Sequence, residues 1–296
     1  MQPLAGMLVV DFSRYLPGAF ASRELLELGA RVVCVEPPGG DPLRDSAPAW
    51  HEALRTGTES LELDLKHNPA PALELVREAD VVLESFRPGV ASRLGIGPEH
   101  VPERTVYCSI TGFGLGGRHE QRAGHDLNYL GWAGVLWDTA PALPPVQIAD
   151  LAAGALGAVS KILAALLERG RTGTGSRIAV SMTHGSHRFV AHRLGGETVP
   201  RMLTGGLACY RIYETADGRH LTVAALEPGF FRRLTELLGR AELAERQFDT
   251  DQDTLATELA AIFEERPLAA WLELFDAEDV CVGPVATIAE AASDLV

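Results

Sequence analysis

The chain has 296 residues, 46% hydrophobic and 22% charged, with a formal net charge of -14. Such a length and composition describe a globular protein that can bury its core without metal or disulfide staples, and they exclude extensive disorder. The negative charge excludes nucleic acid as the main partner, because binding a phosphate backbone requires clustered Lys and Arg.

Cys34, Cys108, Cys209 and Cys281 are scattered with no CxxC pair, so neither a zinc site nor a disulfide framework is expected. The first apolar run is too short for a secretory leader, and no uninterrupted apolar segment reads as long enough to span a bilayer. The expectation is a soluble, cytoplasmic protein with reduced thiols, no membrane partner and no metal.

Residues 7–12 (MLVVDF) are an apolar strand-like run, SRYLPGAF a turn, ASRELLELGA a helix closed by Gly29, and 31–36 (RVVCVE) a second strand. Strand, turn, helix and strand make a βαβ unit with buried parallel strands. SRYLPG is not a GxGxxG fingerprint, so no dinucleotide site is inferred. The Pro/Gly/Asp-rich stretch 37–49 predicts a surface loop. Beyond it, 61–65 (LELDL) predicts an exposed or edge strand, 68–79 a helix, and 80–84 (DVVLE) a buried strand turned by SFRPG. A further strand, 105–110 (TVYCSI), precedes TGFGLGG. This alternation implies an open, mostly parallel sheet with ligands beyond the carboxyl ends of its strands, where SRYLPG, ESFRPG and TGFGLGG fall. Arg87 and Arg93 are the candidate phosphate-binding cations there.

The segment 122–154 brings acid/base groups together with glycines. By spacing alone, Asp150 reads as the N-cap of a helix over about 151–168, and His125 as a hydrogen-bonded structural histidine. An imidazole and a carboxyl facing one carbon could also each give or take a proton, which would be a two-base site. Residues 178–182 predict a strand or helix entry, and 184–206 lack periodicity. From 208 the composition changes: CYRIYETADGRHLTVAAL is a hairpin about ADG, followed by helices over 228–238, 251–265 and 267–276. The expected organisation is a large α/β domain over 1–190, a linker over 191–207 and a smaller α+β domain over 208–296.

PLAGMLVVDFSRYLPGAFASRELLELGARVVCVEPPGGDPLRD, DVVLESFRPGVASRLGIGPE, VYCSITGFGLGG, GHDLNY and ADLAAGALGAVSKILAALLERGRTGTG together resemble the class III CoA-transferase family, over about 3–284. The resemblance implies a Rossmann-like large domain with a parallel sheet, a small domain, and an interlocked homodimer. GHDLNY and ALEPGFFRRL resemble the α-methylacyl-CoA racemases of that family. This second resemblance implies that His125 and Asp150 would be the two acid/base groups inverting the α-carbon of a 2-methylacyl-CoA through an enolate, with Glu227 as partner of the histidine. It likewise implies that Arg87, Arg93, Asp126 and Tyr129 would contact the CoA thioester, CoA being part of the substrate and no separate cofactor being needed. Backbone N–H groups at the helix starts near Asp126 or Asp150 would hold the enolate oxygen. The alternatives are a CoA-transferase with Asp150 as nucleophile, against which His125 stands in place of an aromatic residue, and a non-catalytic binding homologue. Two departures bear on the carrier. RTGTES places Thr58 and Glu59 where relatives carry basic residues, which implies a carrier smaller than CoA or reliance on other arginines. The sequence also ends at Val296, where relatives usually continue.

Overall fold

The apolar runs of the first half pair side by side in one sheet. In the computed structural model, which describes residues 1–195 and 202–295, six strands form it: β1 (Leu8–Asp11), β2 (Arg31–Glu36), β3 (Glu59–Glu62), β4 (Val81–Glu84), β5 (Val106–Thr111) and β6 (Arg177–Ser181). Their order is β3-β2-β1-β4-β5-β6, and every neighbouring pair is parallel. The helices of this part are α1 (Leu16–Glu27), α2 (Pro42–Ser46), α3 (Pro48–Arg55), α4 (Ala70–Glu78), α5 (Val90–Arg93), α6 (Asp126–Ala133), α7 (Gly157–Thr172) and α8 (Met182–Arg188).

The strands read as continuous apolar runs because both faces of the sheet are covered. Successive side chains alternate between faces. Val9, Val32, Val81 and Val106 enter one core with Leu25 of α1 and Ile162 of α7. Val10, Val33, Val82 and Tyr107 enter another with Ala72 and Val76 of α4. Each fully buried Val or Leu contributes about 1.5–3 kcal/mol, so these two layers hold the sheet together.

The chain divides into two compact units, Met1–Ala191 and His192–Val296. The expected linker, 191–207, begins in a 3-10 turn, Ala191–Gly195, and its residues 196–201 lie outside the described residues. In the second unit, β7 (Tyr210–Glu214) and β8 (His220–Ala224) are the expected hairpin. A third strand, β9 (Val282–Pro284), adds antiparallel to β8. Sequence patterning passes over β9 because its Gly and Pro carry no strand signal; its place comes from cross-strand bonding alone. Helices Pro228–Leu237, Gln252–Phe263 and Leu268–Phe275 bury Phe231, Leu259 and Trp271 in a separate core with Leu221 and Val223.

Several sequence expectations are corrected. Within the stretch 37–49, expected to be loop, α2 forms and α3 begins, because Asp41 and Ala47 each precede a proline at the first helical position. Asp41 caps α2 by accepting from the Leu43 N–H at 2.9 Å. β3 lies at 59–62 rather than 61–65, since β2 alone sets its register. The continuous helix Ala149–Thr172 is long and apolar enough to cross a bilayer by length and composition, although Lys161 and Glu168 interrupt its apolar run. Ala155, Ala158, Ile162 and Ala165 nevertheless pack into the core of the first unit, which accounts for the apolarity of that face.

Candidate active site

The site grows from the ends of β1 and β4. These strands are neighbours in the sheet, and the connections leave them in opposite directions, so a crevice opens beyond their carboxyl ends. Each strand ends in a buried carboxylate that turns the backbone outward. Asp11 Oδ1 accepts from the Ser13 N–H at 2.7 Å, and Glu84 Oε2 accepts from the Phe86 N–H at 2.7 Å. The two turns are joined where the Arg14 N–H donates to Ser85 Oγ at 3.1 Å. Together they form one wall of a cavity of about 390 Å³, lined also by Arg87, Arg122, His125, Tyr129 and Asp150.

His125 is the N-cap residue of α6, with extended backbone. Its N–H donates to Asn128 Oδ1 at 3.1 Å, while its carbonyl accepts from the Asn128 N–H at 2.8 Å. This reciprocal pair sets the direction in which the chain enters the helix. Asp126 follows at the first helical position, and its Oδ1 accepts from the Asp150 backbone N–H at 2.9 Å. One hydrogen bond therefore ties the segment carrying the histidine to the segment carrying the aspartate.

Asp150 is not the helix cap that its spacing suggests. It lies inside a π-helical turn, Ala149–Leu156, that runs on into α7. Such wide turns re-aim side chains and occur frequently at functional sites. Small residues let α8 press against this turn: a Cβ on Gly185 would meet Ala153 Cβ at 2.8 Å, and one on Gly154 would meet Met182 Cγ at 3.0 Å. Burial, reinforced by the negative charge of Asp126, pushes the Asp150 carboxyl up to about 7. Near neutrality it is therefore divided between acid and base forms.

Tyr129 fills a slot between two glycines. A Cβ on Gly112 would meet its ring at 2.5 Å, and one on Gly124 would meet it at 2.8 Å. Its hydroxyl donates to the Gly124 carbonyl, and its ring meets Phe113 edge-on at 5.4 Å. Burial, followed by the Asp150 charge, pushes its phenol up to about 12, so it stays a neutral wall of the cavity.

Of the residues singled out from sequence, His125, Asp150, Arg87 and Tyr129 line one cavity. Asp126, adjoining the lining residue His125, holds the Asp150 backbone through its carboxylate, so the Asp150 amide is already bonded and is not a free donor for an oxyanion. Arg93 is exposed at the end of α5 and does not line the cavity. Glu227 precedes the helix Pro228–Leu237 in the second unit as its N-cap residue. Two arginines were missed. Arg14 lies in SRYLPG, at a strand end that the sheet rule already marks. Arg122 is placed by its stacking 4.9 Å over Trp132, which leaves no sequence signal.

A second cavity of about 370 Å³ opens beyond the ends of β2 and β3, lined by Glu36, Asp64, Lys66 and His67 and sharing Arg14 and Phe86 with the first. Thr58 and Glu59 line neither. Glu59 opens β3 and pairs with Arg31 at 2.6 and 2.7 Å, and Thr58 Oγ1 donates to the Arg55 carbonyl at 2.8 Å. Within this chain Thr58 and Glu59 therefore stand apart from both cavities.

The model of the family described as CoA-transferase family III matches residues 4–295. The chain belongs to CoA-transferase family III. Among family relatives it is 37% identical to alpha-methylacyl-CoA racemase of Homo sapiens, over 97% of this chain and 78% of that protein. It is 32% identical to acetyl-CoA:oxalate CoA-transferase of Acetobacter aceti, over 98% and 82%. Among solved structures, Rv3272 from Mycobacterium tuberculosis matches with a TM-score of 0.86 at 29% identity, covering 99% of this chain and 86% of that one. A mixed α/β chain with a six-stranded parallel sheet and a smaller antiparallel sheet is thus a family III fold. The family includes both racemases and transferases.

Proposed function

We propose that this family III protein racemises or epimerises an α-substituted acyl thioester, 2-methylacyl-CoA in the first instance, by passing protons between two bases. The supporting observation is that His125 and Asp150 line the same cavity, with the carboxyl poised at about 7. A thioester acidifies the adjacent carbon. One group removes the α-proton, the other delivers a proton to the opposite face, and each of the two roles contributes about 10²–10⁴-fold.

The enolate oxygen needs a donor aimed at its charge. With the Asp150 amide engaged, the backbone N–H of Asp126 at the start of α6 is the proposed donor. Arg14, Arg87 and Arg122 supply positive charge for the phosphates of the carrier, and Arg14 is common to both cavities. Glu227 is proposed to orient His125, from the same chain or a second copy. We further propose a homodimer, for which exposed Trp137, Leu143 and Leu167 offer apolar surface.

Incubation of one enantiomer of a 2-methylacyl-CoA in heavy water is expected to place deuterium at the α-carbon together with inversion. Absence of exchange with every acyl chain tried would refute the reading. Hydroxylamine capture of an acyl group on Asp150 would instead establish transferase chemistry.

The two directions should respond to pH in parallel, because the ratio of their kcat/KM values is an equilibrium constant that involves no net proton. Each direction needs one proton shared between His125 and Asp150: at low pH neither group can accept a proton, and at high pH neither can give one. With the Asp150 carboxyl at about 7, kcat/KM for both enantiomers is expected to fall together on either side of a shared optimum. Separate pH–rate profiles for the two enantiomers check this, and profiles that diverge would contradict it.

A further inference from the structure

We propose that Arg55 is a positioning residue, one that sets the 13–15 turn and thereby presents Arg14 to both cavities. Arg55 ends α3, and neighbouring Leu54 packs with Leu16 and Ala19 of α1, which brings the guanidinium over the end of β1. The side chain is only 8% exposed. Its Nη1 donates to Asp11 Oδ2 at 2.7 Å, to Cys34 Sγ at 2.9 Å and to Ser22 Oγ at 3.2 Å; its Nη2 reaches Asp41 Oδ2 at 3.4 Å. One cation thus joins the ends of β1 and β2 to the cap of α2.

Buried charge of this kind is not a general source of stability, because apolar side chains of similar volume often serve as well. The consequence to look for is geometric. Asp11 uses one oxygen for Arg55 and the other for the Ser13 N–H at 2.7 Å, so fixing the carboxylate fixes the turn. The turn is demanding: Tyr15 is held at φ 64°, and a Cβ on Gly18 would collide with Ser13 Oγ at 1.9 Å. A non-glycine residue at positive φ persists only where its surroundings over-determine it. On the other side, Asp41 donates its N–H to Glu36 Oε2 at 3.1 Å, and Glu36 lines the second cavity. Arg55 touches neither cavity and acts through Asp11 and Asp41.

The ligand, an anionic thioester carrier, rests on the proposed function, whereas the positioning role does not. The test uses Arg55→Lys, which keeps the charge but loses the planar fork, and Asp11→Asn, which keeps an acceptor for Ser13 but loses the charge. Hydrogen–deuterium exchange is read in peptides covering 12–18 and 157–170, and CoA affinity is read by calorimetry. Both variants are expected to speed exchange over 12–18 by about tenfold or more while leaving 157–170 unchanged. CoA should bind about tenfold more weakly, and in turnover KM should rise while kcat stays within about threefold. Unchanged exchange over 12–18 in a folded variant would overturn the proposal. Exchange that rises equally in both segments would also overturn it, since that marks general destabilisation. If Arg55→Lys does not fold, Asp11→Asn decides. Failure of the unaltered protein to bind CoA would count against the thioester reading alone, and the exchange result would still decide the role of Arg55.

Discussion

Asp150→Asn is expected to lower racemisation by about 10³-fold, and His125→Ala by a similar factor, because each removes one of two obligatory proton-transfer groups. The more telling outcome lies in the surviving exchange. With Asp150 made an amide, His125 could still remove and return a proton on its own face, so one enantiomer should wash in deuterium without inverting while its mirror image stays inert. His125→Ala should show the opposite preference. Opposed enantiomer preferences in the two variants would establish that the bases address opposite faces. Loss of both exchanges to equal extent in both variants would argue for a single base or for a nucleophile. Asn is close in size to Asp, so a folding defect is not expected to obscure the comparison. The Asp126 to Asp150 amide bond at 2.9 Å involves the backbone and survives the change.

Gly112→Ala is expected to destabilise the protein by about 1–3 kcal/mol, because the new methyl meets the Tyr129 ring at 2.5 Å and that ring is already held against Gly124. Tyr129 is buried and T-stacked on Phe113, so it cannot swing aside without disturbing the packing around the cavity. Racemisation should fall with stability, since the ring forms part of the wall beside Asp150. Gly117→Ala provides the comparison: nothing lies within 4 Å of its added Cβ, and its melting temperature should be unchanged. Thermal unfolding of both variants, with turnover measured well below the transition, checks the pair. Equal stability of the two would show that the slot around Tyr129 yields more readily than its geometry suggests.

Much of the fold was legible in the residues because local patterning and burial agree. Val81–Glu84 and Val106–Thr111 read as buried strands since both faces of the sheet are covered, and the hairpin Tyr210–Glu214 with His220–Ala224 was marked by alternation around a tight turn. Elements whose signal depends on neighbours were not legible. β9 contains Gly and Pro and exists through its pairing with β8, and α2 lies within a stretch whose prolines read as loop until they are seen at first helical positions.

For the site, the sheet rule singled out Arg87, and the resemblance carried by GHDLNY and ALEPGFFRRL singled out His125, Asp150 and Tyr129, whereas spacing alone read Asp150 as a cap and His125 as structural. Which of them share a cavity was a matter of packing. Packing has the Asp126 carboxylate hold the Asp150 amide, leaves Arg93 exposed at the surface, and adds Arg14 and Arg122 to the cavity lining. The same holds for the conversion of Asp150 from an apparent cap to a carboxyl at about 7. A spacing along one strand of sequence cannot encode the desolvation produced by segments distant in the chain. Sequence alone determined which groups were available for proton transfer and which strands would lie parallel; the tertiary structure decided which groups meet and how strongly each holds its proton, because burial and distance exist only once the layers have packed.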